Sequence, residues 1–234
     1  MTWAVVTGAT ARGGAAIARS LHGVGLDVVI HHSARSRDQA LAICNEMREC
    51  RSESAQTWEA DLSQPVEVPA WLVNLAPAHC VCNASVFLPS ELQDAERSRA
   101  DLAVHLHAHA EILKAVKSSL RSVVAVTDVH VERPAGGFVW YNVSKAALQA
   151  LMLTLAIEWA PRVRCNVVAP GALPFPASWS DQSKKDDIER SIPMGRLGAF
   201  DDLAGAVKWL LLDATYVTGQ VIVVDGGRSR WLLG

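Results

Sequence analysis

The chain has 234 residues, of which half are hydrophobic and 20% charged, with a formal net charge of −2. This length and apolar content support one sizeable folded core and argue against wholesale disorder. The near-neutral charge offers nothing to nucleic acid or an anionic membrane, and no apolar run approaches the roughly 20 residues of a membrane span.

The opening MTWAVVTGAT lacks a basic region followed by an apolar run and a cleavage site. Together with five cysteines, an odd count, this predicts a cytoplasmic protein with reduced thiols. WAVVT (3–7) reads as a strand, followed by a helix over 11–25. DVVIH (27–31) is a second strand, followed by a helix over 37–50, and 54–61 contains a third strand. The stretch from Asp61 to Cys82 is short and holds three prolines, which predicts an abbreviated helix before a fourth strand in HCVCNAS (79–85). Cys80 and Cys82 lie inside that apolar run, as buried strand residues rather than metal ligands. A long helical stretch over 90–118 carries His105, His107 and His109, whose spacing of two scatters them around a helix. No metal site is expected there or elsewhere.

SVVAVTD (122–128) is the fifth strand, followed by a helix over 138–160. RCNVVAP (164–170) is the sixth strand, 201–212 a shorter helix, and QVIVVDGG (220–227) carries the seventh strand. Strands apolar on both faces and separated by helices predict an α/β fold. The fold class is a single-domain, Rossmann-type, doubly wound parallel sheet of about seven strands with helices on both faces, spanning 1–234. The irregular stretch 172–196 holds three prolines, a charged middle and early aromatics, and is expected to form a lid beyond a strand's C-terminal end, with Trp179 a candidate to cover substrate.

The chemistry begins at TGATARGG (7–14). Glycines let a backbone turn tightly beside a pyrophosphate, and the following helix points its free N–H groups at phosphate. A glycine-rich loop alone is a weak signal; between the first strand and the first helix it gains meaning. The second strand ends in HHSARSR, without the acid that would accept from the ribose hydroxyls of NAD. Ser33, Arg35, Ser36 and Arg37 instead offer donors and positive charge for a 2′-phosphate, which predicts NADPH. Asp61 is placed to take the adenine amino group. Tyr141 and Lys145 stand at i and i+4 on one helix face, where an ammonium is expected to lower the phenol's pKa and make it a usable general acid.

In company, these motifs identify a family. TG-x-x-x-R-x-G at 7–14, NAS at 83–85, YNVSK at 141–145, RCNVVAPG at 164–171 and YVTGQVIVVDGG at 216–227 together resemble the short-chain dehydrogenase/reductases, over essentially the whole chain and in the right order. Three details resemble the pteridine reductases and related short-chain dihydrofolate or dihydromonapterin reductases. Arg12 replaces the loop's middle glycine, NASVF replaces the usual NNAG, and Asp128 replaces the usual serine thirteen residues before Tyr141. The resemblance implies a catalytic set of Asp128, Tyr141 and Lys145. It implies coenzyme contacts from Gly8, Arg12, Gly14, His32, Ser33, Arg35, Ser36, Asp61, Leu62, Asn83, Ala84, Ser85, Thr127, Tyr141, Lys145, Pro170 and Gly171. Substrate contacts are implied for Arg12, Ser85, Phe87, Asp128 and Tyr141, with Phe87 stacking on a pterin ring. Arg228 or Arg230 is implied to approach a neighbouring subunit's site, in a homo-oligomer, dimer or tetramer, assembled through 90–118 and 138–160. LMLTLAIEW (151–159) suits that contact or the sheet equally.

The chain departs from the family at His105, near the place of an asparagine that holds a relay water; the imidazole either substitutes as a polar group or packs. The expected reaction is hydride transfer from NADPH to a ring C=N of a small-molecule substrate, a pterin, a dihydrofolate-like compound or another cyclic imine. Hydride addition to a ketone leaves an oxyanion that a tyrosine and a serine can serve. Addition to C=N leaves a nitrogen in need of a proton, which a carboxyl group beside the tyrosine can relay. Alternatives are a ketone or 3-oxoacyl reductase, a biosynthetic imine reductase, and a coenzyme-binding regulatory protein without turnover.

Overall fold

The computed structural model describes residues 2–176 and 179–231. Two positions of the expected lid, 177 and 178, and the C-terminal residues 232–234 lie outside the described residues. The strands are β1 (Trp3–Val6), β2 (Asp27–His32), β3 (Ala55–Glu59), β4 (His79–Cys82), β5 (Ser122–Val126), β6 (Arg164–Pro170) and β7 (Val221–Val224). They form one parallel sheet in the order β3-β2-β1-β4-β5-β6-β7. The order reverses between β1 and β4, and the crevice beyond the C-terminal ends of those strands is where such sheets bind ligands.

Every residue of β1, β2, β4 and β5 is buried, because helices cover both faces. The helices are α1 (Arg12–Gly23), α2 (Arg37–Cys50), α3 (Ala70–Asn74), α4 (Ala95–Leu102), α5 (Ala108–Val116), α6 (Val139–Glu158), α7 (Gln182–Arg190) and α8 (Phe200–Leu212). One face packs Val6, Ile30 and Val168 under Ile17, Ile43 and Leu203, from α1, α2 and α8. The other packs Val5, Cys80, Val123 and Val167 under Ile112, Leu148 and Met152, from α5 and α6. Alternation along each strand thus feeds two cores.

The helix expected over 90–118 starts later, at Ala95, where the Asp94 carboxylate accepts the Arg97 N–H. It is also interrupted by a π-helical turn at Ala103–His107 that joins α4 to α5. Hydrophobic periodicity does not register a single inserted residue, so the sequence reads as one uninterrupted helix. The expected abbreviated helix is α3, of five residues. In α6, Met152 and Ala156 face the sheet while Ile157 is 77% exposed, so LMLTLAIEW divides between core and surface. Cys44, Cys80, Cys82 and Cys165 are buried and Cys50 is exposed, all as free thiols. Among the described residues no helix is long and apolar enough to cross a membrane.

Candidate active site

The site begins where β1 meets β4. Thr7 Oγ1 accepts the N–H groups of Asn83 and Ala84 at 2.8 and 2.9 Å. Asn83 Nδ2 donates to the carbonyls of Thr7 and Gly8 at 2.9 and 3.2 Å. This clasp presses the loop against the β4 end so closely that a Cβ on Gly8 would stand 2.9 Å from Ala84 Cα. Arg12 adopts a left-handed backbone, with φ +52°, a conformation that costs an L-residue on the order of 1–3 kcal/mol. Its Nη2 donates to Pro174 O at 2.7 Å, and its guanidinium lies 5.1 Å from the centroid of the Phe200 ring. The glycine-rich loop is thereby joined to the 172–196 segment.

A cavity of about 800 Å³ opens over this loop. All the residues expected to hold the coenzyme except Arg37 line it, from Ser33, Arg35 and Ser36 at one end, past Asp61, Leu62 and Asn83, to Thr127, Pro170 and Gly171. Arg37 does not belong to this set: its Nε and Nη2 donate to the Glu59 carboxylate at 2.7 and 2.9 Å, which turns it toward the end of β3. Asp61 Oδ1 accepts from the N–H and hydroxyl of Ser63 at 2.9 and 2.7 Å, so one of its two oxygens is occupied. The Thr127 hydroxyl is buried at the cavity wall with no partner among the described residues. His31, which the sequence did not single out, accepts the Gly8 N–H on Nδ1 at 3.0 Å and holds the loop from below.

At the far end, Tyr141 donates its hydroxyl to Asp128 Oδ2 at 2.7 Å, while Asp128 Oδ1 accepts the N–H of His130 at 2.9 Å. Asp128 is therefore both a backbone cap and the phenol's partner. Lys145 is buried, and burial pushes its pKa down to about 8, with Asp128 opposing. Its Nζ donates to Val126 O at 2.9 Å and lies 5.9 Å from the Tyr141 ring centroid. The expected lowering of the phenol's pKa is overturned. Tyr141 is pushed well above the usual phenol value, first by burial, then by the charge and hydrogen bond of Asp128. The lysine aims at a carbonyl and the charge touching the phenol is negative, so Tyr141 stays protonated through neutral pH.

His105 is a polar hub rather than packing. Its Nε2 accepts the Val86 N–H at 3.1 Å and lies 2.8 Å from Ser85 Oγ, and its Nδ1 lies 2.7 Å from Ser144 Oγ on α6. The backbone N–H can only donate, so Nε2 is the acceptor and Nδ1 carries the proton. Burial pushes its pKa down to about 2. His109 stands behind it, donating Nδ1–H to the His105 carbonyl at 2.9 Å, with Nε2 3.0 Å from Thr7 Oγ1.

A second cavity of about 760 Å³ joins the first at Arg12, Asp128, Tyr141, Gly171 and Leu173. Its walls are aromatic, from Phe87, Phe138, Phe175 and Trp179, with Lys184, Arg228 and His130 around them. Phe87 stacks on Phe138 at 4.3 Å between centroids and meets Tyr141 edge-on at 4.7 Å, so one face of its ring is already covered. Trp179 meets Phe175 edge-on at 4.5 Å. Ser85 lines the first cavity and not the second. Arg228 lines this chain's own cavity, its Nε donating to Ser191 Oγ at 2.7 Å. Sequence reasoning also missed His130, Phe138, Phe175 and Lys184. Phe138 had a signal, standing three residues before Tyr141 at helical spacing; the others are brought in by loop and lid geometry that no local pattern encodes.

Comparison with known proteins follows the same lines. Residues 8–229 match a family described as enoyl-(acyl carrier protein) reductase. Dehydrogenase/reductase SDR family member 4 of Pongo abelii and of Homo sapiens are 40% identical over 141 residues, 56% of this chain and 51% of theirs, so the match spans about half the length of these relatives. The 3beta-hydroxysteroid dehydrogenase 1 of Eggerthella lenta is 32% identical over 97% of this chain and 93% of its own. The crystal structure of FolM alternative dihydrofolate reductase 1 from Brucella canis, complexed with NADP, superposes with a TM-score of 0.89 at 27% identity, covering 100% of this chain and 96% of that one.

Proposed function

The chain belongs to the short-chain dehydrogenase/reductases, and on that premise we propose that it is an NADPH-dependent reductase of a ring C=N, in a pterin, a dihydrofolate-like compound or another cyclic imine. The observation that carries this reading is the 2.7 Å hydrogen bond from Tyr141 to Asp128. A carboxyl group in that place can return a proton to the phenol, where a serine can only hold the phenol in position. Tyr141 gives its proton to the substrate nitrogen, Asp128 restores it, and buried Lys145 orients the coenzyme's ribose. The aromatic second cavity, rimmed by Arg12, Lys184 and Arg228, suits a flat ring with an acidic extension.

The first cavity fits a dinucleotide. Gly8 and Gly14 let the loop fold tightly beside the end of β4, where a Cβ would meet protein atoms, and Ser33, Arg35 and Ser36 line one end of the cavity, where they would hold a 2′-phosphate. When bound, NADPH supplies the hydride. The Brucella canis structure, complexed with NADP, supports this choice of coenzyme. Arg35→Ala is expected to raise the KM for NADPH about tenfold while leaving that for NADH unchanged, since one charge-assisted contact is lost. Equal losses with both coenzymes would remove Arg35 from the phosphate site.

The rest of the reading is consistent with this chemistry. The chain is one domain over 1–234, with 172–196 as a lid over the second cavity and its free thiols suited to the cytoplasm. The exposed Val143 and Ile157 of α6 support assembly into a dimer or tetramer. The name of the Eggerthella lenta relative favours a second reading, a carbonyl reductase. The deciding experiment is NADPH oxidation by the purified protein with a dihydropterin, dihydrofolate, a cyclic imine and a ketone. Turnover of a C=N compound is expected; turnover of the ketone alone would overturn the proposal in favour of the second reading.

A further inference from the structure

His130 stands where the aromatic cavity meets another cavity, of about 770 Å³, walled by Arg133, Ser191, Arg228 and Trp231. Its side chain is 27% exposed. Nδ1 lies 3.0 Å from the Arg133 carbonyl. A carbonyl only accepts, so Nδ1 carries hydrogen and Nε2 is the nitrogen that gains and loses a proton. Nε2 lies 3.9 Å from Asp128 Oδ1, a gap that one bridging water or a small side-chain rotation closes. The other oxygen of Asp128 holds the Tyr141 hydroxyl at 2.7 Å. The backbone N–H of His130 pins Oδ1 at 2.9 Å, so imidazole and carboxylate cannot drift apart. A line of groups able to carry a proton thus leads from the partly exposed His130 to Asp128 and the phenol of Tyr141, with the 3.9 Å step between imidazole and carboxylate as its one gap.

We propose that His130 feeds this line, taking a proton from solvent on Nε2 and passing it to Asp128. The inference rests on the C=N reading above. When bound, NADPH would supply the hydride that the ring carbon gains. The Tyr141 O–H bond breaks as the substrate N–H bond forms, and Tyr141 recovers a proton that the imidazolium of His130 hands to the Asp128 carboxylate and Asp128 passes on. His130 touches no reacting atom, so it acts through Asp128 as a positioning residue. The charged and titratable groups sharing its two cavities are Asp128 and Tyr141, Glu132 and Arg133 of its own turn, Arg12 of the glycine-rich loop, Lys184 of α7 and Arg228 after β7.

The test has two arms. In His130→Ala, kcat for the substrate found is expected to fall about tenfold with KM little changed, the loss growing as pH rises, and imidazole added to the buffer is expected to restore it. In NMR titrations, the pKa of His130 is expected to fall when Asp128 is replaced by Asn, because the facing carboxylate charge is gone. An unchanged kcat and pH profile, or a loss that imidazole does not restore, would overturn the proposal. If no C=N compound is turned over, the functional reading falls by itself, and the NMR arm still decides: identical His130 titration in wild type and Asp128→Asn overturns the coupling.

Discussion

Asp128→Ser is expected to lower kcat for a C=N substrate by about 10²–10⁴-fold, the range in which positioned proton transfer works, while NADPH binding stays near that of the wild type. Serine can still hold the Tyr141 hydroxyl and can still accept the His130 N–H that Asp128 Oδ1 accepts at 2.9 Å, so the 129–131 turn keeps its cap. What it cannot do is store a proton and return it. Tyr141→Phe is expected to cost as much, and the double variant little more than either alone, because the two groups act as one unit. Steady-state kinetics on the three variants, with melting curves to show that each is folded, give the answer. Undiminished C=N turnover in Asp128→Ser would sink the assignment, and a gain in ketone reduction would turn it toward carbonyl chemistry.

The second large effect is on stability. Burial pushes His31, His79 and His109 down to about 4 and His105 to about 2. Each is held neutral by the protein, His31 by the Gly8 N–H on its Nδ1 and His105 by the Val86 N–H on its Nε2. In the unfolded chain the same imidazoles titrate near 6.5. Below that pH the unfolded state binds protons that the folded state refuses, so stability is complete above pH 6.5 and drains away as pH falls toward 4. Each histidine contributes about 1.4 kcal/mol per pH unit in that window. One unit below 6.5, the four together withdraw about 6 kcal/mol, a large share of the 5–15 kcal/mol typical of a domain. Urea midpoints between pH 7.5 and 5 are expected to fall steeply, with uptake of close to four protons on unfolding near pH 5. Surface carboxylates ordinarily titrate near pH 4 and do not confuse this window. Midpoints flat down to pH 5 would show that the buried imidazoles accept protons without unfolding.

The fold was legible because its signals are repetitive. Seven apolar runs alternating with helical patterns leave few topologies, and the right-handed crossover rule fixes the rest. The first cavity was legible because a glycine-rich loop, a strand end and a Tyr–Lys pair sit at fixed places in that topology. The direction of the Tyr141 shift was not, since it depends on where the Lys145 ammonium points, and Val126 O takes it. Arg35 and Arg37 look alike in HHSARSR; only the position of Glu59 on the neighbouring strand separates them. The role of His105 stayed open because a buried imidazole and a packed one share one sequence, and three hydrogen bonds decide between them.

Arg12 lines both cavities and grips the backbone of the 172–196 segment through Pro174 O. A guanidinium shared in this way is a point of communication. A ligand in either cavity that draws Arg12 toward itself alters what the other cavity offers, and thermodynamic reciprocity makes the influence mutual: whatever factor the first ligand applies to the second's affinity, the second returns to the first. The left-handed strain carried at this residue then has a place in the economy of binding, as the cost of setting one side chain on the border between two ligands.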